Sequence, residues 1–189
     1  MNLESYKTAI RGFLGEKRYY HSICVARAAV QLARLYGADE TKAEIAGILH
    51  DIMKELPPEE QKKRMQQYGI SLSQVEQSSQ KLWHAMLGAE YIRRELGVTD
   101  SEILQAVRYH TTGRENMTLL DKVLFIADFI SDDRDYPGVE TLRETAKNSL
   151  EQAMIEGIAF TVKELADAQL PIHPDTIAAY NQTILQNPS

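Results

Sequence analysis

The chain has 189 residues, enough for one substantial core and too few to expect two ordinary domains. Charged residues make up 25% and the hydrophobic set 43%, as in soluble globular proteins, while a net charge of -6 and a pI near 5.4 exclude a general nucleic-acid surface, which needs a basic face. No apolar run approaches the roughly 18–20 residues that cross a bilayer, MNLESYKTAIRG lacks a signal-peptide core, and the single Cys24 excludes an internal disulfide or a cysteine-based zinc site, so a cytoplasmic location is expected.

Helical spacing begins at once, with Leu3, Tyr6, Ile10, Phe13 and Leu14 on one face. Ile23, Ala26, Val30 and Ala33 continue it in a second helix that opens at His21 and stops at Gly37. Thr41 to Glu44 reads as a capping box opening the helix that runs into His50-Asp51. Pro57-Pro58 ends that helix, and PPEEQKKRMQQYG predicts a more solvent-facing one. PPEEQ and SLSQVEQSSQ read as mobile surface pieces. A longer helix is predicted from about Lys81 to Leu96, closed by Gly97, and Thr99 to Glu102 is a second capping box leading to His110. After the polar loop TTGREN come Met117–Ile130, the turn DDRDYPGV, and two last helices over Thr141–Ala168 and Pro174–Leu185. No segment alternates with period two, so the fold class is all-α.

Against this apolar background the ionisable residues stand out. His21, His50-Asp51, His84, His110 and Asp128 lie in or at the ends of HSICVARAAVQLA, AEIAGILHDI, KLWHAMLGA, EILQAVRYH and VLFIADFI. Burying such groups is costly unless something compensates them, and a metal ion does. Taken singly, each has a plain alternative: a packed core histidine, a cap, a polar pair at a helix end. Four imidazoles and two carboxylates together read as a dinuclear metal site. Neighbours on a helix point about 100° apart, so the His50 imidazole can take one ion while the Asp51 carboxylate bridges two.

The order H…HD…H…H…D resembles the HD-domain metal-dependent phosphohydrolases. HSICVARAAVQLARLYGAD, AGILHDIMKELP, HAMLGAEYI, YHTTGRENMTLLDKVLFIADFI, RDYPGVETLR and IHPDTIAAYN are similar to the YqeK family of symmetrical bis(5'-nucleosyl)-tetraphosphatases over almost the whole chain. No presumed ligand departs from that pattern, and the GYP motif of cyclic-dinucleotide HD phosphodiesterases is absent. The resemblance implies an HD-domain helical bundle as a single domain over 1–189, with a core at about 18–135 and C-terminal helices over 141–185 packed on it. It implies that His21, His50 and Asp128 hold one metal, His84 and His110 the other, and that Asp51 bridges. Iron is favoured by the resemblance; manganese, cobalt and zinc suit the same donors. Such a cation pair activates water and neutralises phosphate oxygens. The implied reaction is symmetrical hydrolysis of a dinucleoside tetraphosphate, diadenosine tetraphosphate above all, into two nucleoside diphosphates.

Substrate contacts are expected from basic and polar residues near the ligands. Lys54 lies one turn beyond Asp51 and can reach a phosphate, unless it is a solvated lysine at a helix end. Arg134 in the DDRDYPGV turn can clamp a phosphate bidentately or pair with neighbouring aspartates. Asp51, Lys54 and Arg134 are the catalytic candidates. Thr111, Thr112 and Gly113 can present hydroxyl and N–H groups to an anion or base, or simply stop a helix. Arg18 is a weaker phosphate candidate, and His173, extended before Pro174, contacts base or ribose or caps the helix of Asp175. Cys24 is read as a small core residue. The expected partner is a small-molecule nucleotide, with no nucleic acid and no membrane; a homodimer is left open. Alternatives from other classes are an HD phosphohydrolase of another nucleotide, a diiron oxygenase, and a non-catalytic nucleotide-binding HD module.

Overall fold

Residues 2–187 are described by a computed structural model, in which the chain runs α1 (Leu3–Arg11), α2 (Glu16–Tyr36), α3 (Glu40–Leu49), α4 (Pro58–Tyr68), α5 (Gln74–Ser78), a 3-10 turn (Gln80–Leu82), α6 (Trp83–Arg94), α7 (Ser101–Tyr109), α8 (Leu119–Ile130), α9 (Val139–Asn148), α10 (Leu150–Asp167) and α11 (Pro174–Gln186). The fold is all-α, with no strand among the described residues. None of these helices is long and apolar enough to cross a membrane.

Side-chain caps set where the helices start, and several fall elsewhere than the sequence suggests. Asp39, not Thr41, caps α3, its carboxylate accepting from Lys42 N at 3.0 Å. Asp100, not Thr99, caps α7 by accepting from Glu102 N and Ile103 N. α2 starts at Glu16, so His21 sits in its second turn and does not open it. The segment expected as one helix over Thr141–Ala168 is two, because Ser149 leaves the helical region and caps α10 through Gln152 N. The stretch expected as mobile around SLSQVEQSSQ carries the short α5, closed by a reciprocal Ser73–Glu76 capping box and tied down by Trp83 Nε1 donating to Glu76 O. Each such cap contributes about 1 kcal/mol by satisfying a donor that the helix start leaves open.

Packing then brings the middle helices together. α2 lies along both α3 and α8, α7 packs against α3, α6 and α8, and α10 covers α8 with α9 and α11 beside it. Between them Ile48, Leu49, Ile52, Met53, Leu87, Leu124, Phe125 and Ile126 are fully buried, and burial of each such side chain stabilises by about 1.5–3 kcal/mol. Cys24 is a buried core residue, as expected. The α2–α3 crossing is close because position 47 is glycine: a Cβ there would lie 2.5 Å from Ala26 Cα. Residues 21 and 50 flank that crossing.

Candidate metal centre

Five helices deliver the six expected residues to one place. His21 comes from α2; His50 caps the C-terminal end of α3, with Asp51 immediately after it. His84 lies in the first turn of α6, His110 caps the end of α7, and Asp128 lies in the last turn of α8. The four histidines and Asp51 are buried, and Asp128 is partly exposed.

The imidazoles are oriented from behind. His50 and His110 sit at equivalent places on their helices, and each donates Nδ1–H to the carbonyl three residues back, Gly47 O and Val107 O, both at 2.8 Å. These carbonyls are among those a helix end leaves unpaired. A carbonyl can only accept, so Nδ1 carries the proton and Nε2 presents a lone pair. His21 Nδ1 donates to Asp133 Oδ2 at 2.8 Å, and Asp133 Oδ1 accepts from Ser131 Oγ at 2.8 Å. Three of the four rings thus aim Nε2 inward, the arrangement that backs metal-ligating histidines.

Asp51 divides its two oxygens between two sets of rings. Oδ1 lies 3.0 Å from His84 Nε2 and 3.6 Å from His110 Nε2, whereas Oδ2 lies 3.5 Å from His50 Nε2 and 3.9 Å from His21 Nε2. Asp128 Oδ1 closes the second set, 3.0 Å from His21 Nε2 and 4.0 Å from His50 Nε2. Donor atoms within 4.8 Å of one another form the groups His21–His50–Asp51, Asp51–His84–His110 and His50–His110–Asp128.

These atoms fit a metal better than they fit one another. The Nε2 atoms of His21 and His50 are buried without a hydrogen-bond partner, although Asp128 Oδ1 is only 3.0 Å from the first; with the proton on Nδ1, that contact sets a lone pair against a carboxylate. An unmet buried polar atom costs about 1–3 kcal/mol, which a shared cation removes. The Nε2 atoms of His84 and His110 approach to 3.1 Å, a contact that a cation between two lone pairs also explains. Neutral imidazole and ionised carboxylate are the donors that such ions take.

The electrostatics favour those states for His84, His110 and the two carboxylates, but not for His50. Burial pushes the His84 imidazole down to about 4 and lowers that of His110 against the pull of Asp51. Burial would also lower His50, but the Asp51 and Asp128 carboxylates outweigh it and raise it. Burial pushes both carboxyls up, yet the surrounding imidazoles hold Asp51 well below the usual range, and His21, His50 and Arg134 do the same for Asp128.

A basic rim borders this cluster. Arg18 Nη1 reaches Asp51 Oδ2 at 2.9 Å, placing it closer to the centre than its weak sequence signal suggests. Arg134 pairs not with the neighbouring aspartates but with Asp128, through Nε to the backbone oxygen at 2.7 Å and Nη2 to Oδ1 at 2.5 Å. Lys54 Nζ lies 3.2 Å from His84 Nε2 and 3.9 Å from Asp51 Oδ1, and burial lowers its pKa. Each of the three cations keeps roughly a third of its side chain exposed.

Most of the remaining candidates are engaged by partners of their own. Thr112 Oγ1 donates to Gly113 O, and Gly113 N donates to Tyr109 O, so both are used within the turn; Thr111 Oγ1 alone is buried without a partner. His173 caps α11 by accepting from Asp175 N, and its Nε2 lies 3.5 Å from Glu76, which also pairs with Arg108. Asp133 was not singled out from the sequence, although it lies one residue from Arg134 in the same acidic turn.

A helical bundle that gathers histidines and aspartates around an adjacent His-Asp pair defines an HD-type metal-site protein. The HD domain family model matches residues 18–133, from the rim arginine to the aspartate behind His21. A symmetrical bis(5'-nucleosyl)-tetraphosphatase of Halalkalibacterium halodurans is 42% identical over 98% of this chain and 99% of its own. One of Bacillus subtilis is 42% identical over 96% and 97%. A crystal structure from Clostridium acetobutylicum, described as a predicted HD superfamily hydrolase involved in NAD metabolism, is 35% identical with a TM-score of 0.95 over 99% of both chains. The chain belongs to the HD domain family and, within it, to the symmetrical bis(5'-nucleosyl)-tetraphosphatases.

Proposed function

We infer that this chain is a metal-dependent hydrolase that splits dinucleoside tetraphosphates, diadenosine tetraphosphate among them, symmetrically into two nucleoside diphosphates in the cytoplasm. The observation that carries this reading is near-complete coverage, at 42% identity, of proteins named for that activity. Supporting it is a donor set that suits two ions: His21, His50 and Asp128 for one, His84 and His110 for the other, with Asp51 between them. Iron is the first choice, with manganese, cobalt and zinc as alternatives. When bound, such a pair supplies an activated water and neutralises charge on phosphate oxygens.

The chain's own residues grip and orient the substrate. Lys54, Arg134 and Arg18 ring the carboxylates and are the cations that hold the inner phosphates. Lys54 sits against His84 and Asp51, on one side of the centre, while Arg134 is fixed to Asp128 on the other. A polyphosphate seated between them presents an inner phosphorus to the cluster, and charge developing on the departing diphosphate is stabilised by groups already in place. An acidic protein can hold this anion because bound metal ions would dominate the local field.

The test is product analysis in oxygen-18 water with iron, manganese or cobalt supplied. Attack of water on an inner phosphorus gives two ADP, of which one in each pair carries a single solvent oxygen. AMP plus ATP as primary products would reject symmetrical cleavage while keeping a hydrolase. The description of the Clostridium acetobutylicum structure favours a second reading, hydrolysis of another nucleotide phosphoanhydride. Turnover of other nucleotides in preference to the tetraphosphate would support it.

A further inference from the structure

A cavity of about 280 Å³ opens beside the metal centre, walled by Asp128, Phe129, Arg134, Tyr136, Phe160 and Glu164. Two of its walls, Asp128 and Arg134, belong to the cluster and its rim, so the cavity is continuous with the place where phosphate would sit. Three of the other four walls are aromatic, and the rings are held in place. Tyr136 Oη donates to Phe129 O at 3.0 Å, joining the turn after α8 to α8 itself. The Tyr136 and Phe160 rings lie 5.7 Å apart at 31°, and Phe129 stands at 88° to Phe160 with centroids 6.4 Å apart. Phe160 is 41% exposed on α10, an apolar ring left open to solvent. Glu164, one turn further on α10, brings an exposed carboxylate with no ion-pair partner among the described residues to the same rim.

Resting on the reading above, we propose that this cavity seats one nucleobase of the dinucleotide, specifically a base bearing an exocyclic amine. Aromatic walls stack on the π-face of any base, which gives affinity without choice. Glu164 supplies the choice. An ionised carboxylate only accepts hydrogen bonds, so it favours a base edge offering an amino group and repels one offering a carbonyl. Arg134 lines both this cavity and the rim of the metal centre, so a base seated here sends its polyphosphate past Arg134 toward the cluster.

Isothermal titration of the metal-loaded protein with ADP and with inorganic diphosphate tests this, because the two ligands differ in the nucleoside. The unmodified chain should bind ADP more tightly, and Phe160→Ala should weaken ADP by about 5- to 100-fold while leaving inorganic diphosphate unchanged. Glu164→Ala should shrink the preference for adenosine over inosine diphosphate. Equal binding of ADP and inorganic diphosphate by the unmodified chain would overturn the proposal, as would a Phe160→Ala variant that binds ADP normally or loses both ligands alike. An unchanged adenosine-to-inosine ratio in Glu164→Ala would overturn the assignment to an amino-bearing base. Cleavage of the tetraphosphate is scored separately: base-dependent binding without symmetrical cleavage would support the pocket and reject the proposed reaction.

Discussion

His21 donates Nδ1–H to Asp133 at 2.8 Å, and Asp133 is itself held by Ser131 at 2.8 Å. The aspartate never faces the other imidazoles, yet it decides which nitrogen of His21 is bare and where the ring points. Asp133→Ala should therefore lower affinity for the ion held by His21 by about 10- to 100-fold while the helical fold persists. Asp133→Asn keeps an acceptor and should recover part of it. Metal titration of the three proteins checks this, and equal affinities would leave Asp133 a surface acid.

Asp51 is the one residue whose two oxygens face different pairs of imidazoles. Asp51→Ala should remove both ions together, whereas His84→Ala should mainly weaken the one shared with His110. Elemental analysis of purified variants reads the stoichiometry. Two ions per chain retained by Asp51→Ala would sink the bridging assignment.

The rim should separate from the ligands in the same assay. Lys54→Ala should keep the metals and slow turnover by about 10- to 100-fold, since charge-assisted hydrogen bonds contribute about 1.5–3 kcal/mol. Arg134→Ala should slow turnover similarly but also loosen the metal next to Asp128, because Arg134 holds that carboxylate at 2.5 Å. Unaltered kinetics in both variants would remove these cations from the mechanism.

Much of this was legible because helices and buried charges leave periodic traces. The six clustered residues stood out as ionisable groups among apolar ones, and burial is what makes that contrast meaningful. Asp133 left no such trace: it shares a solvent-facing turn with Asp132 and Asp135, and only the path of the chain out of α8 selects which acid meets His21. The misplaced starts of α3 and α7 have a local cause. Thr41 and Thr99 have the right spacing to a glutamate, but Asp39 and Asp100 compete one or two residues away, and aspartate caps at least as well as threonine. The break at Ser149 was encoded too, as Ser149-x-x-Gln152, but lay inside an otherwise unbroken helical pattern. The aromatic cavity joins Phe129, Tyr136 and Phe160 from α8, a turn and α10, a meeting that no single stretch of sequence displays.

Gly47 links packing to the metal centre most directly. A Cβ there would meet Ala26 Cα at 2.5 Å and Ala26 N at 2.8 Å, and because both are backbone atoms α2 and α3 would have to separate. Alanine is the better helix former by about 1 kcal/mol, but overpacking costs about 1–3 kcal/mol, so Gly47→Ala should be destabilised on balance. It should also loosen metal binding, since His21 rides on α2 and His50 is fixed by the Gly47 carbonyl itself. Gly88 in α6 is the control: a Cβ there finds its nearest neighbour at 3.7 Å, ordinary contact, so Gly88→Ala should gain the propensity without a clash. Thermal unfolding with metal analysis distinguishes them. Gly47→Ala should fall by a few degrees in Tm and lose metal affinity, while Gly88→Ala holds or rises. If Gly47→Ala instead matched Gly88→Ala in both measurements, the α2–α3 crossing would be tolerant of spacing, and its closeness would not be what sets His21 and His50 at their distance.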